Sequence, residues 1–319
     1  MSEFDDIARL FRPLAFGAPE ALNLQDDAAV IPSRPGYDLV VTKDAIVGGV
    51  HFLPGDTPAD IARKLLRVNL SDLAAKAAEP YAVFLAVAWP ADIGEGARET
   101  FAAGLAEDLQ MFGLVLLGGD TVSTPGPLTA SLTALGWVEA GRMVRRATAR
   151  PGDRLFVSGT IGGGGLGLQA AQGGLSELSS SDRLRLMKRY RLPEPRLDLR
   201  AALLAHATAS ADVSDGFLAD AGHIGEASGV GLEVGLERLP LSPPVRAWLG
   251  AQPDQAAARV WLASAGDDYE VVCAARPEAA AALAQAGFSE IGRVVEGEGV
   301  SATFHGQSVD VRRKGWTHT

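Results

Sequence analysis

"PADIARKLLRVNLSDLAAKAAEPYAVFLAVAWP", residues 58–90, sets a helix pattern directly in front of a strand pattern. Up to Ala78 the apolar residues recur at helical spacing, behind Pro58 and Asp60, which are residues of the kind that open helices. From Tyr81 the chain turns into a continuous apolar run that reads as a strand and stops at Pro90. A helix feeding a buried strand predicts an α/β or α+β fold, in which both elements cover one core.

The same alternation continues outward. "YDLVVTKDAIV", residues 37–47, is a β-branched, strand-like run. "EGARETFAAGLAEDLQMFG", residues 95–113, reads as an amphipathic helix closed by Gly113. "LVLLGGDT", 114–121, reads as a buried strand running into a turn, and "LTASLTALGWV", 128–138, as another strand. The rhythm breaks in "EAGRMVRRATARPGDRLFVSG", where Arg150, Pro151, Gly152 and Asp153 form a turn cluster. The domain boundary is placed there, giving domains over 1–140 and 150–319. Further strands are expected at "RLFVSG", "ASADVSDG" and the end of "VWLASAGDDYEVVCAA", with a helix in "EAAAALAQAGF" closed by Gly287.

At 319 residues the chain can hold two domains with substantial cores. Its formal charge of -10 argues against general affinity for nucleic acid or anionic membranes. That charge also repels a phosphorylated substrate unless cations bridge the two. Cys273, the single cysteine, lies in an apolar run and reads as a core filler. No secretory signal and no apolar run of about 18 residues is seen, so a cytoplasmic location without membrane association is expected.

Aspartates recur beside Gly, Ser or Thr, mostly near the mouths of apolar strands. They are Asp26 and Asp27 in "QDDAA", Asp44 in "VTKDAIV", Asp72 in "VNLSDLAA", Asp120 in "LLGGDT", Asp212 and Asp215 in "ADVSDG", and Asp267 and Asp268 in "AGDDYE". Singly, such residues are turns and caps. Together they suggest one acidic site, because strand-end loops are where α/β proteins gather chemistry. Two carboxylates about 4 Å apart repel by roughly 4 kcal/mol at an effective dielectric of 20, so convergence calls for cations. An oxygen-only donor set suits Mg²⁺ bound together with phosphates. The five histidines (His51, His206, His223, His305, His318) lack zinc-ligand spacing. Arg142, Arg145, Arg146 and Arg150 at the boundary supply forks suited to phosphate oxygens.

No P-loop and no protein-kinase signature is found. "SGTIGGGGLGLQAA" contains Gly162, Gly164 and Gly167 in G-x-G-x-x-G spacing, but the expected acidic partner about 20 residues on falls in a helical stretch. A flexible turn beside a ligand is the favoured reading.

The ordered set "QDDAAV", "TKDAIVGGVHF", "VNLSDLAAKAAEP", "LLGGDT", "RPGDRLFVSGTIG", "DVSDGF", "GDDYEV" and "KGW" resembles the thiamine-monophosphate kinase family. That family belongs to a superfamily with aminoimidazole ribonucleotide synthetase and selenophosphate synthetase. The resemblance implies an N-terminal α/β domain whose sheet pairs across a homodimer, and a C-terminal α/β domain completing the active site. It implies direct in-line transfer of the γ-phosphoryl of ATP to thiamine monophosphate with Mg²⁺. By motif, Asp27, Thr42, Asp44, Asp72, Asp120, Asp212 and Asp215 would be Mg²⁺ ligands, with Asp26 a helper. Gly119, Asp120, Arg146 and Ser214 would contact the nucleotide. His51, Asp267 and Trp316 would touch thiamine monophosphate, and Asp72, Asp120, Arg146 and Asp215 would carry catalysis.

Lys43 departs from the family pattern, which often has Ser or Thr there. Asp267 stands where Glu is common, about 1.5 Å shorter in reach, and Asp268 is an alternative contact. Two other readings stay open: a sister enzyme with another acceptor, and a phosphate-metabolite binder that has lost catalysis.

Overall fold

The computed structural model describes residues 3–311 with Gly315 and Trp316; Lys314 of "KGW" and His318 lie outside the described residues. The chain divides into two compact units, one of residues up to Leu73 with Ala78–Arg142, the other of Ala74–Ala77 with residues from Met143 on.

The first unit opens with a short helix α1 (Glu3–Asp6) and irregular helical turns through Leu24. It then forms β1 (Tyr37–Val47), α2 (Pro58–Ala75), β2 (Glu79–Pro90), α3 (Glu95–Phe112), β3 (Val115–Thr124) and β4 (Thr129–Glu139). The sheet order is β1-β4-β2-β3, with β2 and β3 parallel and the other pairs antiparallel. Helices α2 and α3 lie on one face. Gly104 of α3 makes this possible, since a Cβ there would stand 2.5 Å from the Ala59 Cα of α2. Phe101 of α3 meets Trp89 of β2 edge-on at 5.2 Å. The buried carboxylate of Asp108 ties the two helices, taking Arg67 Nη2 at 3.0 Å and Arg63 Nε at 3.0 Å. On the sheet's opposite face, Ala15 and Ala21 pack against Ala82, Leu117 and Leu135.

The expected turn in "LLGGDT" is not there. β3 runs straight through Gly118, Gly119 and Asp120 and stays paired to β2 past a bulge at Val83/Phe84. The reason is at Gly119, where a Cβ would fall 1.8 Å from the Leu85 carbonyl oxygen. These glycines serve close strand approach rather than chain reversal.

The second unit holds a seven-stranded sheet ordered β11-β10-β7-β9-β5-β8-β6. Its elements are β5 (Arg154–Ser158), α4 (Gly163–Ala171), α5 (Ser180–Arg191), α6 (Arg200–His206), β6 (Ala207–Asp212), α7 (Phe217–Ser228) and β7 (Gly231–Gly235). They continue with α8 (Pro243–Gly250), α9 (Gln255–Ser264), β8 (Val271–Ala275), α10 (Ala280–Gln285), β9 (Phe288–Val295), β10 (Gly299–Phe304) and β11 (Gln307–Val309). β10 pairs parallel to β7, and the remaining pairs are antiparallel. Its core includes Leu155, Val157, Phe217, Leu262, Val272 and Ile291, all fully buried. Cys273 is fully buried among Phe156, Val271 and Leu283, and that burial pushes its thiol well above the ordinary range. No helix of the described residues is long and apolar enough to cross a membrane.

The glycine-rich stretch corrects the expectation of a flexible turn. Gly163–Gly167 form the first turns of α4, and what demands glycine is crowding. A Cβ at Gly164 would stand 2.2 Å from the Asp267 carbonyl oxygen, and one at Gly167 would stand 2.2 Å from that of Leu186 in α5.

Candidate functional site

In the first unit a cavity of about 660 Å³ is lined by Asp26, Asp27, Gly119 and Asp120, against an apolar wall that includes Phe11 and Phe84. The backbone already engages part of this acidic edge. Asp26 Oδ1 accepts from the Asp27 N–H at 2.8 Å, and Asp120 Oδ1 accepts from the Thr121 N–H at 2.8 Å. Asp27 and Asp120 are exposed, which suits residues that meet a ligand.

Thr42, Asp44 and Asp72 form a second group in the same unit, apart from that lining. Strand alternation puts Thr42 and Asp44 on one face of β1 and Lys43 on the other. The Thr42 hydroxyl donates to the Asp72 carboxylate. The Asp44 N–H donates to Asn69 Oδ1 at 3.0 Å, and Asn69 Nδ2 donates to the Leu65 carbonyl at 2.9 Å. Asn69, fully buried in "VNLSDLAA", is therefore the scaffold that sets β1 against α2, a role that sequence reading missed. Asp72 sits in the last turn of α2, where the helix dipole disfavours an acid by about 0.3–1 kcal/mol. Lys43 reaches across to Thr133 Oγ1 at 3.5 Å, on the exposed face. His51 caps the turn after β1, its Nδ1 accepting from the Val47 N–H at 3.1 Å, which places the ring proton of the neutral form on Nε2.

In the second unit the backbone stitches three separate segments together. β6 ends at the buried Asp212, and the loop Val213–Gly216 leads into α7. The Asp267 N–H donates to the Ser214 carbonyl at 2.8 Å, the Tyr269 N–H to that of Val213 at 2.7 Å, and the Trp316 N–H to that of Asp215 at 2.8 Å. Asp212, Ser214, Asp215, Asp267 and Trp316 are thus gathered in one place, with Trp316 half exposed.

Asp220, in the first turn of α7, was not singled out from the sequence. Its Oδ2 accepts from the Asp215 and Gly216 N–H groups at 3.1 Å each. Burial, with the Asp215 charge adding, pushes its carboxyl up to about 7, while those two N–H donors and Arg146 pull the other way. Arg146 is exposed, and its carbonyl accepts from Ser228 Oγ at 2.8 Å. Asp215, Asp220 and His223 are a set of ligating groups within 4.8 Å of one another. An acid at position five after the "SDG" aspartate, on a helix start, is the signal by which sequence could have found Asp220.

Asp268 is placed differently from its neighbour Asp267. Its fully buried carboxylate accepts from the Gly162 N–H at 2.7 Å and the Gly164 N–H at 2.9 Å, at the start of α4. That position, where a dinucleotide pyrophosphate would sit, is filled by the protein's own acid. Burial pushes the Asp268 carboxyl up to about 7, against the pull of the Gly164 N–H, Arg189 and the Gly162 N–H.

Comparison with known proteins places this arrangement. Residues 25–138 match the model of the AIR synthase related protein, N-terminal domain, and residues 150–305 that of the C-terminal domain. The chain therefore has the two-domain mixed α/β fold of the AIR synthase related class. It is 58% identical to the thiamine-monophosphate kinase of Caulobacter vibrioides over 99% of this chain and 91% of that one. The crystal structure of thiamine-monophosphate kinase from Stenotrophomonas maltophilia superposes with a TM-score of 0.84 at 36% identity, over 97% of this chain and 98% of that one. The structure of AaThiL complexed with AMPPCP and TMP superposes with a TM-score of 0.80 at 28% identity, over 100% and 99%. The chain belongs to the thiamine-monophosphate kinase family.

Proposed function

We propose that this protein transfers the γ-phosphoryl of ATP to the phosphate of thiamine monophosphate, giving thiamine diphosphate and ADP. The observation that carries the reading is the full-length likeness to a structure holding AMPPCP and TMP together. AMPPCP is built like ATP, so that complex pairs a nucleotide triphosphate with the acceptor. In the reaction an oxygen of the acceptor phosphate bonds to the γ-phosphorus as the bond to the β,γ-bridging oxygen breaks. The attacking oxygen is already anionic, so no strong base is needed, and catalysis rests on positioning and charge.

The donors fit Mg²⁺, being oxygen-only and free of thiolate. Asp27, Thr42, Asp44, Asp72, Asp120, Asp212 and Asp215 would hold it, and bound Mg²⁺ neutralises phosphate charge. In this reading residues 1–140 form an ATP- and Mg²⁺-binding and dimerisation domain, and residues 150–319 form a domain that completes the active site. Gly119, Asp120, Arg146 and Ser214 contact the nucleotide, with the Arg146 guanidinium offsetting charge on the transferred group. Asp72, Asp120 and Asp215 set the phosphates in line. His51 and Asp267 orient thiamine monophosphate, and Trp316 offers its half-exposed face to a heteroaromatic ring.

A homodimer belongs to the same reading. β1 is an eleven-residue edge strand whose outer face exposes Leu39 and Val41, a surface that pairing with a second copy would cover. A cytoplasmic location accords with the nucleotide substrate.

Incubation with ATP, Mg²⁺ and thiamine monophosphate, followed by phosphorus NMR, tests the proposal. Diphosphate signals from thiamine diphosphate are expected; ATP left intact, or turnover only with another acceptor, would refute it.

A further inference from the structure

The adjacent acids Asp267 and Asp268 have different surroundings. Asp267 is half-buried, and Asp268 is sealed off. The backbone around them is strained, with φ at 78° for Gly266, 60° for Asp267 and 48° for Tyr269. Left-handed conformations are unfavourable in residues with a Cβ, so the surroundings must over-determine them.

Those surroundings can be named. The Asp268 carboxylate is clamped by two backbone N–H groups of the α4 start, from Gly162 and Gly164. Its carbonyl accepts from Arg189 Nη2, and Arg189 Nη2 also reaches Glu270 Oε1 at 2.7 Å. Glu270 is buried as well, accepting from Ser158 Oγ at 2.6 Å and lying 2.9 Å from Arg196 Nε. From the other side α4 presents glycines, so that the Asp267 carbonyl lies where any side chain at 164 would be. Seen this way, the glycine run and the buried acid are two halves of one mould around residue 267.

We propose that Asp268 is a positioning residue for the acceptor: its carboxylate, bound to the start of α4, holds Asp267 in the one backbone conformation that presents the Asp267 side chain to thiamine monophosphate. The inference rests on the role given above to Asp267. It predicts that Asp268 affects acceptor binding through Asp267 alone, and leaves the nucleotide side untouched.

The test is steady-state kinetics on the full-length enzyme, wild type first, then Asp268→Asn, Asp267→Ala and the double variant. Asn keeps one acceptor but turns an amide donor toward the second N–H, so the clamp is broken with little change in volume. Asp268→Asn is expected to raise KM for thiamine monophosphate roughly tenfold, with KM for ATP within about twofold of wild type. Added to Asp267→Ala, it is expected to change KM by less than about twofold, because both act on one contact. Equal rises in both KM values, or full additivity in the double variant, would overturn the proposal. If Asp268→Asn loses the native circular dichroism spectrum, Gly164→Ala replaces it, pushing on the Asp267 carbonyl while keeping the acid. The same KM split is expected there, and an unchanged KM for thiamine monophosphate would overturn the inference. A wild type that makes no thiamine diphosphate would instead refute the functional reading, and this inference with it.

Discussion

The Thr42 hydroxyl donates a hydrogen bond to the Asp72 carboxylate, joining the inner face of β1 to the last turn of α2. An acid at that end of a helix works against the dipole, and the threonine fixes where its charge points. Asp72→Asn is therefore expected to lower kcat by at least about a hundredfold, with circular dichroism and melting temperature near wild type. Thr42→Val should cost less, roughly tenfold, since it removes the orienting bond and leaves the charge. Near-normal turnover of Asp72→Asn would remove it from the catalytic set.

Gly119→Ala would put a methyl group 1.8 Å from the Leu85 carbonyl oxygen, inside the β2–β3 pairing that carries Asp120. Strand separation is the only relief. We expect a lower melting temperature and loss of the stabilisation that ATP confers on the wild type, both read by thermal shift with and without nucleotide.

The Asp108 carboxylate is fully buried and shared by two arginines of α2, Arg63 and Arg67. Removing it takes from the buried Arg67 its ion pair with this acid, while Arg63 keeps Glu107 at 3.6 Å. Asp108→Ala should destabilise the protein by about 3–5 kcal/mol in urea denaturation. Arg63→Ala, at the more exposed partner, should cost less, because Arg67 keeps the acid paired.

Asp268 links stability to pH. Its carboxyl is held near 7 in the fold, above the ordinary value of 3.8. The folded state therefore binds more protons than the unfolded state between these values. Its stabilising contribution is complete below about pH 4 and is lost as pH rises through about 7. Melting temperature of wild type relative to Asp268→Asn should fall steadily from pH 4.5 to 7.5 and level off above. A flat difference would mean that Asp268 stays ionised throughout.

Lys43 lies on the face of β1 opposite Thr42 and Asp44 and reaches Thr133. Its ammonium is turned away from those side chains, which weakens the case for a chain that has lost catalysis. Lys43→Ala should keep kcat within about twofold of wild type in the same NMR assay.

Much of the fold was legible in residues 37–138, because strand runs and helix periodicity there coincide with local propensity. Gly113 and Gly287 closed their helices as read, with φ of 69° and 93°. The stretch "LLGGDT" misled, because glycines that look like a turn permit close pairing between strands, and only the Leu85 carbonyl reveals that. The same holds for Gly164 and Gly167, whose small size answers to the Asp267 carbonyl and to α5.

The chain alone determined the family: aspartates with Gly, Ser or Thr beside them stand in an order that marks it. It also determined the alternation that sends Thr42 and Asp44 one way and Lys43 the other, since that follows from the pleat of a strand. Tertiary structure decided the surroundings of each acid. Asp268 and Asp267 are chemically identical neighbours, yet one is fully buried against two backbone donors at a helix start and the other is only half-buried. That difference arises from contacts more than a hundred residues apart, and local sequence carries no record of them.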